Sequence, residues 1–81
     1  MSSREGWNTL RTRPQKYRDV TRFLRSKGWN RTRQRGSHET WSPAEGGATI
    51  TLVQHRGEVS PGVVRQLQAV FADTPSDWNR P

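Results

Sequence analysis

His38 is the residue of this chain best placed to transfer a proton beside a phosphate group. It closely follows Arg33 and Arg35, whose guanidinium groups can bind phosphate through paired hydrogen bonds. RNA supplies its own nucleophile, the 2′-hydroxyl, so its cleavage needs a base, an acid and positive charge at the phosphate. A histidine titrates near neutral pH and can serve as base or acid. His38 therefore predicts slow, metal-independent RNA cleavage by acid–base catalysis with a single histidine, although spacing alone leaves open an ordinary surface residue.

Other kinds of catalytic or metal site have little support in the sequence. The chain has no cysteine, which excludes thiolate catalysis and cysteine-ligated zinc. Its carboxylates are scattered, and it has neither a glycine-rich phosphate loop nor a Gly-x-Ser-x-Gly motif. We predict no metal and no cofactor. The second histidine, His55, is expected in a loop, where it either contacts RNA phosphate or is simply solvated.

The positive charge is concentrated in the first half of the chain. The formal net charge is +7 at pH 7, and such a basic balance is typical of nucleic-acid-binding proteins. Residues 1–36 contain eleven of the fourteen Lys and Arg residues and two acids, whereas residues 37–81 contain three Arg and five acids. A polyanion is therefore expected to meet the first half of the protein. The alternative is that these basic residues only form a solvated surface.

A basic amphipathic helix is predicted from Pro14 onwards. Proline suits a first helical position, and Tyr17, Val20 and Leu24 then form an apolar stripe. Gly28 is expected to end this helix. Its cationic side chains are expected to contact the RNA backbone, and they include Lys16, Arg22 and Lys27.

Two strands joined by a hairpin turn are predicted next. The first spans 29–35 and would carry its three arginines on one side, because successive side chains alternate in a strand. A turn at 35–37 leads to the second strand, 38–42, in which His38 and Glu39 face opposite sides.

The remaining elements complete an α-β-β-β-α order. A β-branched strand is predicted at 48–53, a polar connection at 54–59, and a second helix that begins at Ser60 and Pro61. We therefore predict the α+β class, with a three-stranded antiparallel sheet and two helices on one face. This layout is that of a double-stranded-RNA-binding domain.

A single domain is expected, because a chain this short buries only a thin core. The domain would span 14–73, between a flexible basic arm at 1–13 and a short tail at 74–81 in which Trp78 folds back or frays. Trp29 or Trp41 would stack a splayed base if exposed, although a core position is the more ordinary expectation. No apolar run reaches the length of a membrane helix, and the protein is predicted to be soluble and cytoplasmic.

Two segments of the chain resemble the HicA family of toxins. The first is G-W-N-R-T-R-Q-R-G-S-H-E-T-W, in which a helix ends in Gly-aromatic, an Arg-rich strand follows and Gly-Ser-His opens the next strand. The second is I-T-L-V-Q-H-R-G-E-V-S-P-G-V-V-R-Q-L, with a hydrophobic strand, a His-containing loop and a Pro-Gly helix start. The two segments lie at the separation that the family has, which makes the resemblance fairly specific.

The resemblance implies a fold like that of a double-stranded-RNA-binding domain, an mRNA interferase activity and a cognate HicB antitoxin that masks the active surface. The family's catalytic histidine falls on His38, and Arg35, Gly36 and Ser37 match the turn that presents it. His55 matches a position that histidine often occupies in the family.

Two positions depart from the family pattern. Gln54 stands where the family often has proline, and Glu39 stands where an apolar, aromatic or histidine residue is more usual. Because Glu39 should face away from His38, we expect it to disturb the catalytic residue little.

The sequence thus predicts a toxin endoribonuclease that acts on mRNA and is neutralised by a HicB-type antitoxin, with the ribosome as a further candidate partner. His38 would be catalytic. The expected RNA-binding residues are Arg31, Arg33, Arg35, Ser37, Lys16, Arg22, Lys27 and His55. Three alternatives stay open: a non-catalytic RNA-binding module of the same fold, a basic protein that docks an acidic partner and inhibits a host machine, and a DNA-binding regulator.

Overall fold

Five antiparallel strands form one sheet in the computed structural model, which describes residues 12–79. The strands lie side by side in the order β1-β5-β4-β3-β2. Their bounds are Gln15–Lys16 for β1, Trp29–Arg35 for β2, His38–Pro43 for β3, Ile50–His55 for β4 and Glu58–Val59 for β5. Helix α1 spans Tyr17–Ser26, helix α2 spans Pro61–Val70, and a 3₁₀ turn follows at Ser76–Asn79. The α+β class with two helices is confirmed, whereas the prediction of three strands is wrong.

The segment predicted as a polar connection is a tight β-hairpin. Strand β4 continues to His55, and Gln54 and His55 pair with Val59 and Glu58 of β5. The two turn residues, Arg56 and Gly57, have φ values of 54° and 80°. Positive φ at both positions matches the twist of a two-residue hairpin. The sequence signal is weak because arginine, instead of asparagine, aspartate or glycine, takes the first of these positions.

Strand β1 displaces the predicted start of the first helix. Gln15 pairs with Val59, and Lys16 pairs with Glu58. Lys16 has an extended backbone, with φ −66° and ψ 138°, and α1 begins only at the next residue. Pro14 is therefore not a first helical residue, and Lys16 lies in an edge strand instead of the helix.

A β-bulge in β2 divides the arginines that were predicted to share one side. Arg31 pairs with Trp41, but Arg33 pairs with Thr40, which leaves Thr32 as an additional residue. Because one extra residue shifts the alternation of side chains, Arg31 faces the opposite side of the sheet from Arg33 and Arg35. The prediction of three arginines on one side is therefore wrong.

Both helices pack on the same side of the sheet. Val20 and Leu24 of α1 and Val64 and Leu67 of α2 belong to one buried cluster with residues of the sheet. The sheet contributes Trp29, Trp41, Ile50, Leu52 and Val59. We call this side of the sheet the helix face, and the other side, which carries His38, Thr40, Thr51, Val53 and His55, the open face.

The segments that flank the two helices also pack against the core. Trp78 is buried, and its ring lies 5.5 Å from that of Phe23, centroid to centroid. The backbone N–H of Arg13 donates to the carbonyl oxygen of Trp78 at 2.9 Å, and Thr12 is buried. Trp78 thus folds back, one of the two outcomes considered for the tail. Residues 1–11 of the predicted arm at 1–13 lie outside the described residues.

Candidate functional site

The open face gathers titratable side chains from all five strands. His38 in β3 lies between Arg35 of β2 and Val53 of β4, and these residues are direct cross-strand partners. The pairing continues from β4 through β5 to β1, because His55 faces Glu58 and Glu58 faces Lys16. The titratable side chains on the open face are Lys16, Arg33, Arg35, His38, His55 and Glu58. This face is therefore basic, and Glu58 is its acidic member within the described range.

An open depression surrounds His38 on this face. Its volume is about 240 Å³, and it is lined by polar residues: Arg33, Arg35, His38, Thr40 and Thr51. The guanidinium groups and hydroxyls are hydrogen-bond donors, and the imidazole can donate or accept. The side chains of both arginines and the histidine are exposed. A phosphate group can consequently reach all three from solvent.

A short turn brings His38 to the end of the sheet. Gly36 has φ +57°, and the side-chain amide of Gln34 donates to its carbonyl oxygen at 3.1 Å. Ser37 completes the turn and is exposed. His38 then begins a strand that is paired on both edges, so its backbone is held more firmly than a loop would hold it.

A buried carboxylate lies on the other side of the same strand. Glu39 is only 5% exposed, on the helix face. It accepts hydrogen bonds from the Tyr17 hydroxyl, which lies 2.7 and 2.8 Å from its two oxygens, and from Trp41 Nε1 at 3.0 Å. Arg31 Nη1 lies 3.6 Å from the same carboxylate. Partial burial raises the pKa of Tyr17, and the hydrogen bond to Glu39 and its charge raise it further.

The structure confirms that Glu39 and His38 face opposite sides, but the network around Glu39 was not foreseen from the sequence. The only local sign of this network in the sequence is that Glu39 and Trp41 lie two residues apart in a predicted strand and so face the same side. The partners come from α1 and β2, so only the packing of these elements brings them together.

The tryptophans of the two hairpin strands are core residues. Trp41 is 1% exposed and Trp29 is 5% exposed. The guanidinium carbon of Arg25 lies 5.2 Å from the centre of the Trp41 ring and covers it from the helix side. Neither ring is therefore available to stack an RNA base, and the ordinary expectation of a core position is confirmed.

His55 lies in a strand and not in the predicted loop. It ends β4 two residues after Val53, the residue that faces His38, so the two histidines are diagonal neighbours on the open face. Diagonal neighbours on adjacent strands have Cα atoms about 7–8 Å apart. His55 also lines a cleft with Val53, Glu58 and Ser60. The sequence could not show this proximity because it depends on the register of β3 and β4.

Three of the predicted RNA-binding residues lie away from His38. Arg31 is on the helix face beside Glu39. Arg22 lines a cavity of about 390 Å³ between α1 and the C-terminal segment, together with Phe23 and Trp78. Lys27 follows α1 and donates to the Asp73 carboxylate, and this hydrogen bond lowers the pKa of Asp73. The structure thus brings Arg33 and Arg35 to His38, but not these three.

Residues 12–79 contain neither a metal-binding cluster nor a membrane-spanning helix. There, no three or more His, Asp or Glu side chains are grouped closely enough to hold a metal ion. None of the helices in that range is long and apolar enough to cross a membrane.

Comparison with known proteins gives one match. The family model described as "HicA toxin of bacterial toxin-antitoxin" matches residues 17–70, about two thirds of the chain. The match runs from the first residue of α1 to the last residue of α2, and it includes the whole depression around His38. Searches of curated proteins and of solved structures gave no significant match.

Proposed function

The chain belongs to the HicA toxin family of bacterial toxin–antitoxin systems, and from this premise we propose that it is an endoribonuclease that cleaves mRNA without a metal ion. One observation carries the proposal: the exposed imidazole of His38 shares a polar depression with the guanidinium groups of Arg33 and Arg35. A proton-transfer group and fixed positive charge at the phosphate are both needed for RNA cleavage by its own 2′-hydroxyl.

In the proposed reaction the two arginines bind the non-bridging oxygens of the scissile phosphate. Paired N–H donors hold the phosphate and stabilise the additional negative charge of the transition state. His38 takes the proton of the 2′-hydroxyl as its oxygen bonds to phosphorus. The bond from phosphorus to the 5′-oxygen breaks, and this oxygen takes a proton from water or a protonated group. The products are a 2′,3′-cyclic phosphate on one fragment and a 5′-hydroxyl on the other.

The other residues of the open face extend the phosphate-binding surface. Lys16 and His55 lie on the same face as His38, and Ser37 is exposed in the adjoining turn. Contacts of this kind position RNA but read little of its sequence. Arg31, Arg22 and Lys27 lie elsewhere, so the proposal gives them no part at the scissile phosphate.

The partners follow from the family and from the charge of the open face. A toxin–antitoxin family implies an antitoxin, and in this proposal a HicB-type antitoxin covers the open face and blocks access to His38. The substrate is mRNA, with the ribosome as a further place of action in the cytoplasm. A sheet with two helices on one side agrees with the expected likeness to double-stranded-RNA-binding domains, which recognise RNA largely through its backbone.

Inducible expression in bacteria tests the proposal directly. Wild type, His38→Ala and the control Arg65→Ala, an exposed residue of α2, are compared for growth and for mRNA integrity. We expect wild type and the control to arrest growth and fragment mRNA, and His38→Ala to do neither. The purified wild type is expected to cleave RNA equally well in the presence of EDTA.

Each alternative function has its own signature in these experiments. Growth arrest by both wild type and His38→Ala, with intact mRNA, would contradict the nuclease and favour a binding role. RNA retention without cleavage would then indicate a non-catalytic RNA-binding module. Binding of a stoichiometric protein, resistant to salt and without RNA, would indicate a host-inhibitory interaction protein.

A further inference from the structure

The open face holds two histidines, and we infer that His55 is a second catalytic residue, which donates a proton to the leaving 5′-oxygen while His38 acts as the base. This inference rests on the proposed nuclease function and goes beyond it. From the sequence, His55 was expected only to contact phosphate or to be solvated. The sequence also predicted catalysis by a single histidine.

The register of the sheet places the two histidines on adjacent strands of the open face, His38 in the depression with the two arginines and His55 in the cleft with Glu58. His38 faces Val53, and His55 is two residues further along the same strand, on the same face. Diagonal neighbours of this kind have Cα atoms about 7–8 Å apart. This separation leaves room for a phosphate between the side chains of His38 and His55. Both side chains are exposed, so neither must be uncovered before RNA can bind.

The charged neighbours of the two histidines differ in sign. Arg35 faces His38 across β2 and β3, and Arg33 lies in the same depression. Glu58 faces His55 across the β4–β5 hairpin, and Lys16 is the next residue along that row. Arg33 and Arg35 can bind the phosphate beside His38, whereas the Glu58 carboxylate can accept a hydrogen bond from one ring nitrogen of His55 and leave the other nitrogen to donate. This contrast assigns the base role to His38 and the acid role to His55.

Two proton-transfer groups balance the reaction in one step. The 2′-oxygen attacks phosphorus as its proton passes to His38, and the 5′-oxygen leaves as it takes a proton from His55. The incoming and leaving oxygens lie on opposite sides of phosphorus in an in-line displacement, so one group cannot contact both at once. After the step His38 is protonated and His55 is neutral, and proton exchange with water restores both.

An RNA with a 5′-bridging sulfur at the scissile phosphate tests the assignment. A thiolate leaves without a proton, so a variant that lacks the general acid should regain activity on this substrate. We expect His55→Ala to cleave ordinary RNA about 10²–10⁴-fold more slowly than wild type, the usual contribution of one acid–base group, and to approach wild type on the sulfur substrate. We expect His38→Ala to stay slow on both substrates.

Gln54→Ala serves as the matched control, because Gln54 is the exposed neighbour of His55 on the same strand but faces the helix side. It should cleave both substrates at the wild-type rate. An equal loss by His55→Ala on both substrates, or no loss on either, would overturn the acid role of His55 while His38→Ala still reported on the nuclease itself. If His38→Ala regained cleavage on the sulfur substrate and His55→Ala did not, the assignment would also be overturned. Full activity of His38→Ala on ordinary RNA would instead refute the proposed function.

Discussion

The hydroxyl of Tyr17 donates a hydrogen bond to the carboxylate of Glu39, which follows His38 in β3 and faces the opposite side of the sheet. The hydroxyl oxygen lies 2.7 and 2.8 Å from the two carboxylate oxygens. Through this bond α1 is attached to β3 at the level of the candidate site. The position of His38 therefore depends on a contact with the helix layer that it does not itself touch.

Removal of this hydroxyl should destabilise the fold. Tyr17→Phe leaves the buried Glu39 carboxylate with Trp41 Nε1 and the more distant Arg31 as its partners. Loss of a hydrogen bond to a buried charged group costs about 1–3 kcal/mol, and we expect the free energy of unfolding in urea to fall by that amount. An unchanged denaturation midpoint would show that the bond contributes nothing to stability.

The same contact predicts a loss of stability in alkali. Burial, the hydrogen bond to Glu39 and the Glu39 charge raise the pKa of Tyr17 above its ordinary value of 10.0. The folded protein thus keeps a proton that the unfolded chain releases, so this stabilisation is complete below pH 10 and is lost as the pH rises through the folded pKa. The free energy of unfolding should decline more steeply above pH 10 in wild type than in Tyr17→Phe. Parallel pH profiles for the two proteins would contradict this.

The open face should dominate the electrostatic binding of RNA. Arg35→Ala removes one phosphate contact, so it should weaken binding of an uncleavable 2′-O-methyl RNA and reduce the slope of log K against log salt by about 1. Arg65→Ala carries the same change of charge on α2 and should leave the slope unchanged. Fluorescence anisotropy titrations at several salt concentrations measure both. Equal effects of the two substitutions would mean that only the net charge matters.

The C-terminal tryptophan should be as important as a core residue. Trp78 is 3% exposed and packs on Phe23, so Trp78→Ala should lower the free energy of unfolding by about 3–5 kcal/mol. Val70→Ala is the control, because Val70 is 47% exposed at the end of α2 and should change stability by about 0.5 kcal/mol or less. If Trp78→Ala does not fold, Trp78→Phe is measured instead, and its loss in the free energy of unfolding should exceed that of Val70→Ala. Equal thermal unfolding curves for all these proteins would contradict the packing of Trp78.

The turn between β4 and β5 should accept a better residue. Arg56 has a left-handed backbone, with φ 54°, which asparagine adopts more readily than arginine. Arg56→Asn should therefore raise the free energy of unfolding by about 0.5–1 kcal/mol, whereas Arg56→Val should lower it. Thermal unfolding of the two variants beside wild type measures the difference. A reversed order would show that this turn is not formed in solution.

Much of the architecture follows from local patterns in the sequence. The apolar stripe of α1 has the spacing of one helix face, and Ser60 caps α2 by accepting the N–H of Val63. The β2–β3 hairpin and the opposite directions of His38 and Glu39 also follow from local alternation. These features depend on residues a few positions apart, which is the range over which periodicity and capping act.

Other features depend on contacts between distant parts of the chain, and the sequence did not reveal them. Strands β1 and β5 have two residues each, too few for any alternation to appear, and only their mutual pairing makes them strands. The bulge at Thr32 that separates Arg31 from Arg33 and Arg35 is visible only in the register with β3.

The sequence by itself therefore determined the chemistry that is available, a histidine beside arginines on a basic protein, and the two helices and central strands that carry it. The tertiary structure decided which of these groups meet. It placed His55 on the face of His38, moved Arg31 to the buried carboxylate of Glu39, and left Arg22 and Lys27 outside the site. The physical reason is that strand register and helix packing are set by the burial of apolar surface across the whole core. This burial depends on residues far apart in the chain, so no local sequence pattern predicts it.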